Sequence, residues 1–65
     1  MHPSIKHVLD FFQYDHLPVN LAQVSKPFCE LAHTVAESSD NQETTVALRK
    51  LLEAKDAAVR ASLKG

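Results

Sequence analysis

Glycine, cysteine and tryptophan are nearly missing from this 65-residue chain: it has one glycine, one cysteine and no tryptophan, with three Phe and one Tyr as its only aromatic residues. The single glycine is Gly65, so no internal glycine loop can wrap a phosphate, which excludes Walker-type and dinucleotide-binding fingerprints. Cys29 has no partner for a disulfide and is too few for a cysteine-based zinc site, and a free thiol suits a reducing compartment. A basic excess is missing as well. Seven Lys and Arg stand against eight Asp and Glu, for a formal net charge of −1. A nucleic-acid surface needs an excess of cations to release counterions, so neither DNA nor RNA is an expected partner. No apolar run approaches the roughly 20 residues of a membrane span. Met1-His2-Pro3-Ser4 lacks the charged-then-apolar opening of a secretory signal. The expectation is a soluble, cytoplasmic protein with no membrane partner.

What remains is a globular composition, 45% hydrophobic and 23% charged. The length leaves room for one domain, residues 1–65, and two or three helices. A chain this short buries only about 60% of the surface its unfolded form exposes, and one such core seldom yields more than roughly 3–5 kcal/mol. With no disulfide available, self-association is the expected staple.

Two internal breaks divide the chain, one around Asp15-His16-Leu17-Pro18 and one at the polar run Glu37–Gln42. Before the first, Ile5, Val8, Leu9 and Phe12 repeat at helical spacing behind Pro3, which predicts a short amphipathic helix over about 3–14. Between the breaks, Leu17, Leu21, Val24, Phe28, Leu31 with Ala32, and Val35 form a continuous stripe, a helix over about 18–37. Pro27 inside it predicts a kink, or a restart with Ser25 as cap. After the second break, Asp40 or Asn41 is a helix cap, and a Gly- and Pro-free run predicts a long helix over about 42–63. It carries a large-residue stripe (Leu48, Leu51, Leu52, Val59, Leu63) beside a small one (Ala47, Ala54, Ala58, Ala61). Arg49 with Glu53, Asp56 with Arg60, and Lys50 with Glu53 have ion-pair spacing. The expected fold is all-α: an antiparallel helical hairpin with a short N-terminal helix, assembling as a compact homo-oligomer with the long helices central.

Candidate chemistry is sparse. Cys29 and His33, four apart, have the spacing of two metal ligands or of a thiolate and its base, but two ligands do not make a site, and small thiols beside an apolar stripe pack as hydrophobes. No metal, cofactor or catalytic constellation is expected. The unusual cluster is Phe11, Phe12, Tyr14 and His16, within six residues. It reads either as a hydrophobic staple pinning the first helix, or as a stacking platform near the cation Lys26, as a nucleobase and its phosphate require. Arg49, Lys50 and Arg60 on the last helix read as solvated ion-pair partners or, around a symmetry axis, as rings of cations forming a second ligand site.

From Phe12 to Ala61 the order and spacing of short motifs resemble the phage helical-hairpin family of cyclic-oligonucleotide sponges, which bind the messengers of bacterial CBASS immunity and share their hairpin with Thoeris anti-defence proteins. The motifs are Phe12-x-Tyr14 followed by His16 and Pro18, Leu31-Ala32, Glu43, Thr45, Ala47-Leu48-x-Lys50-Leu51, Glu53-Ala54 and Arg60-Ala61. The resemblance implies a homohexamer that sequesters cyclic di- or trinucleotides and releases them intact, with no enzymatic activity. It implies a pocket between protomers in which Tyr14 stacks on a base, Lys26 of the neighbouring protomer reaches phosphate with Ser25 beside it, and Phe12 and His16 complete the site. Relatives often read Tyr-His-Pro-Pro where this chain has Tyr14-Asp15-His16-Leu17-Pro18, and Pro27 is unexpected in their first long helix.

The function expected from residues and resemblance together is phage immune evasion by messenger binding, in the cytoplasm of the infected bacterial host. The alternative is a small helical protein–protein interaction module with no small-molecule ligand. Burial of the aromatic cluster and free replacement of Lys26 would favour the module.

Overall fold

A computed structural model describes Met1–Lys64 as three helices: α1 (Pro3–Asp10), α2 (Val19–Ser38) and α3 (Gln42–Leu63). The last two follow each other across three residues, Ser39–Asn41, and pack alongside, so they form the hairpin; α1 lies mainly across α3. No strand occurs among the described residues.

Each start has a local cause. Pro3 occupies the first turn of α1, where its missing N–H costs nothing, and His2 caps it by accepting from the Ser4 N–H at 3.1 Å through Nδ1. Asn41 caps α3. Its side chain accepts from the Thr44 N–H at 3.1 Å while the Thr44 hydroxyl accepts from the Asn41 N–H, a reciprocal capping box. The starts of α1 and α3 are tied together, the His2 N–H donating to Asp40 Oδ1 at 3.2 Å and Ser4 Oγ meeting Thr45 Oγ1 at 3.4 Å.

α1 stops four residues before the spacing suggests. The N–H groups of Phe11 and Phe12 close the end of α1 on the carbonyls of Val8 and Leu9, which leaves Phe11 at the surface and Phe12 in the core. There it joins Ile5, Val8, Leu9, Ala32, Ala36 and Leu48. Of the two outcomes expected at Pro27, the restart does not occur: α2 passes through Pro27 as one helix, and Ser25 caps nothing, being fully buried in mid-helix. The fully enclosed line of α2 is therefore Ser25, Ala32 and Ala36, not its large residues, because small side chains let the helix axes approach. Phe28 and Val35 pack at the margin, and Leu31 is 50% exposed. On α3 the buried centre is Thr44 and Leu48, with Leu51 and Leu52 flanking and Leu63 outside.

Of the three spaced ion pairs only Lys50–Glu53 forms, at 3.8 Å between exposed side chains. Asp56 turns instead to Lys55 at 2.9 Å, whose side chain is largely enclosed. No helix among the described residues is long and apolar enough to cross a membrane.

Candidate functional site

Residues Phe11–Pro18 connect α1 to α2, and a tight turn, in which the Leu17 N–H donates to the Tyr14 carbonyl at 3.0 Å, fixes their course. The turn separates two surface hollows, and Leu17 lines both.

The first hollow, about 290 Å³, lies between the turn and the start of α2. Leu17, Val19 and Ala22 form its apolar floor, and Tyr14, Asp15, Gln23 and Lys26 its polar rim. Tyr14 is half-buried and Lys26 exposed. Among the described residues Lys26 makes no ion pair, so its ammonium is available to an anion. An aromatic face, an apolar floor and an unpaired cation together suit a planar ring carrying a phosphate.

The second hollow, about 360 Å³, lies across the turn against the C-terminal half of α3. His16 and Arg60 line it together with Phe11, which is 54% exposed and held edge-on by His7 at 5.3 Å between ring centroids. Asp10, Lys55 and Asp56 also line it, so two carboxylates face the two cations Lys55 and Arg60.

The candidate residues thus divide. Tyr14 and Lys26 share one hollow, and His16 lies in the other with Arg60. Phe12 and Ser25, expected as ligand contacts, are fully buried in the core and offer a ligand no surface. The aromatic cluster therefore splits, Phe12 being the staple and Tyr14 the wall of a hollow. Arg49, Lys50 and Arg60 do not converge within the chain. Arg49 and Arg60 are eleven residues apart on one face, roughly 16 Å along the axis, and Lys50 is turned about 100° from Arg49.

Apart from Lys26, the wall contributed by α2 is not among the residues the sequence singled out. Its signal is Val19, Ala22, Gln23 and Lys26, a helical i, i+3, i+4, i+7 set opposite the larger apolar stripe that draws the eye first.

Ser25 gives a direct stability test. Its Oγ is buried with no hydrogen-bond partner among the described residues, and an unsatisfied buried hydroxyl costs about 1–3 kcal/mol. Ser25→Ala is expected to raise the melting temperature, at roughly 4–8 °C per kcal/mol for a domain of this size. A lower melting point in that variant would mean that the hydroxyl has a partner.

Cys29 is half-buried on α2. Burial first, then the Asp15 and Glu30 carboxylates, push its thiol pKa above the ordinary value. The neutral thiol is the form the fold favours, so this contribution to stability is present at neutral pH and is lost as pH rises through the raised pKa. Alkylation by iodoacetamide at pH 7.5 is expected to be slower in the folded chain than in urea; equal rates would contradict the shift. Among the described residues no three His, Cys, Asp or Glu side chains are grouped to hold a metal ion.

Compared with family models, with curated proteins and with solved structures, the chain matches none.

Proposed function

We propose that this chain is a non-enzymatic phage immune-evasion protein that binds cyclic di- or trinucleotides and holds them out of reach of the host's bacterial immune sensors. The observation that carries the reading is the placement of Tyr14 and Lys26 on one apolar-floored hollow. A base stacks on Tyr14 while the phosphate meets Lys26. The motif resemblance along Phe12–Ala61 supplies the messenger class and the intact release.

The same reading makes the working form a homo-oligomer, the hexamer of the sponges it resembles. Physical support comes from the surface. The chain exposes 4492 Å², where a compact monomer of its mass exposes about 4,100 Å². Seven hydrophobic side chains, one of them aromatic, make up the buried core, while Val19, Leu31, Val46 and Leu63 are between 45% and 75% exposed. Alanines 47, 54 and 61 line an exposed stripe of α3 against which another helix can pack closely.

Native mass spectrometry with a panel of cyclic di- and trinucleotides tests both parts. Discrete ligand masses on an oligomer, recovered chemically intact after denaturation, are the expected result. Base–aromatic stacking contributes about 1–3 kcal/mol, so Tyr14→Ala is expected to weaken binding roughly 5- to 150-fold with the oligomer mass unchanged. Retained affinity in that variant would discard the pocket.

The exposed apolar residues also favour a second reading, a protein–protein interaction module. An oligomer that takes up no messenger and tolerates replacement of Tyr14 and Lys26 would establish it.

A further inference from the structure

The rim of the Tyr14 hollow carries both signs of charge, Asp15 on the turn and Lys26 on α2. Both residues are exposed, and among the described residues neither forms an ion pair. Burial first, and then the Asp15 carboxylate, raise the pKa of the Cys29 thiol, which lies one turn beyond Lys26 on α2. The carboxylate is thus on the α2 side of its turn. In a hollow for phosphate alone that charge is a handicap, because it repels the anion that Lys26 attracts. It helps only a ligand that also brings hydrogen-bond donors.

The nucleobases differ sharply on this count. On its pairing edge guanine presents two adjacent donors, N1–H and the N2 amine, which match the two oxygens of a carboxylate. Adenine and cytosine each present one amine beside a bare ring nitrogen whose lone pair opposes a carboxylate, and uracil presents one N–H between two carbonyls. We infer that Asp15 is the specificity-determining residue of the hollow and selects guanine: its carboxylate accepts from guanine N1–H and N2–H while Tyr14 stacks on the ring and Lys26 meets a phosphate. The three contacts use the edge, the face and the phosphate, so they do not compete. This inference rests on the ligand reading above and narrows the messenger class to cyclic oligonucleotides that contain guanine.

Wild type is titrated by calorimetry with cyclic di-GMP, with cyclic di-IMP, which lacks only the N2 amines, and with cyclic di-AMP. Cyclic di-GMP is expected to bind roughly 10- to 150-fold more tightly than cyclic di-IMP, the worth of one hydrogen bond to a charged group. Cyclic di-AMP is expected to bind more weakly still. Asp15→Asn is the decisive variant, and because position 15 is exposed in the turn its circular dichroism should match wild type. The new amide oxygen accepts from the adenine amine while its NH2 donates to the bare ring nitrogen, so the preference is expected to reverse toward cyclic di-AMP. Equal wild-type affinity for the three probes, or tighter binding of cyclic di-AMP, overturns the inference and leaves the ligand reading standing. So does Asp15→Asn strengthening all three by one factor, the mark of a bystander charge. A wild-type chain that takes up none of the probes overturns the ligand reading itself, and the role of Asp15 falls with it.

Discussion

Phe12→Ala is expected to leave the chain unfolded at 25 °C. Phe12 is fully enclosed, the largest side chain in the core, and it ties the end of α1 to the hairpin. Truncating a buried Phe to Ala costs about 3–5 kcal/mol, as much as the whole stability a single core of this size can supply. Circular dichroism should show loss of helix with no cooperative melt. The neighbouring residue is the internal control. Phe11 is 54% exposed, so Phe11→Ala should keep the melt within a few degrees of wild type. If both variants behave alike, the division of the aromatic cluster into core and surface is wrong. The pair also guards the functional reading, because a loss of binding in a Phe12 variant reports unfolding, whereas a loss in a folded Tyr14 variant reports the hollow.

The second large effect has the opposite sign. Proline is about 3 kcal/mol less favourable than alanine inside a helix, and α2 carries Pro27 without interruption. Pro27→Ala is therefore expected to raise the melting temperature by roughly 10–20 °C, measured by calorimetry at matched protein concentration. An unchanged or lower midpoint would show that the helix has already relaxed around the ring.

How much of this was legible in the sequence follows from what each signal is made of. Pro3, Pro18 and the polar run before Gln42 mark helix boundaries through local backbone chemistry, and the starts of all three helices fall within a residue or so of them. The Asn41 cap is equally local. The first stripe was readable because Ile5, Val8 and Leu9 on α1, with Phe12 just beyond its end, are all buried. The stripe of α2 was not, because periodicity names a face about 180° wide but not the line of contact within it. That line is set by how closely α3 can approach, and it runs through Ser25, Ala32 and Ala36. The same limit explains Ser25, whose polar type suggested a cap or a phosphate contact while its position on the face put it inside. At the candidate site, Tyr14 and Lys26, twelve residues apart across one turn, share a hollow within one chain, where the resemblance implied a cation from the neighbouring protomer. Separating His16 from Tyr14 required the turn's geometry, because the bond from Leu17 to the Tyr14 carbonyl sends their side chains to opposite hollows.

The three-residue link between α2 and α3 has a consequence in time. Hairpin contacts between neighbouring helices close short loops, and helical chains rich in such contacts fold in microseconds to milliseconds, whereas joining of separate chains slows with dilution. The Tyr14 hollow is drawn entirely from residues 14–26, so it matures on the fast clock of one chain. The shape of the hollow is thus set at a rate that does not depend on protein concentration.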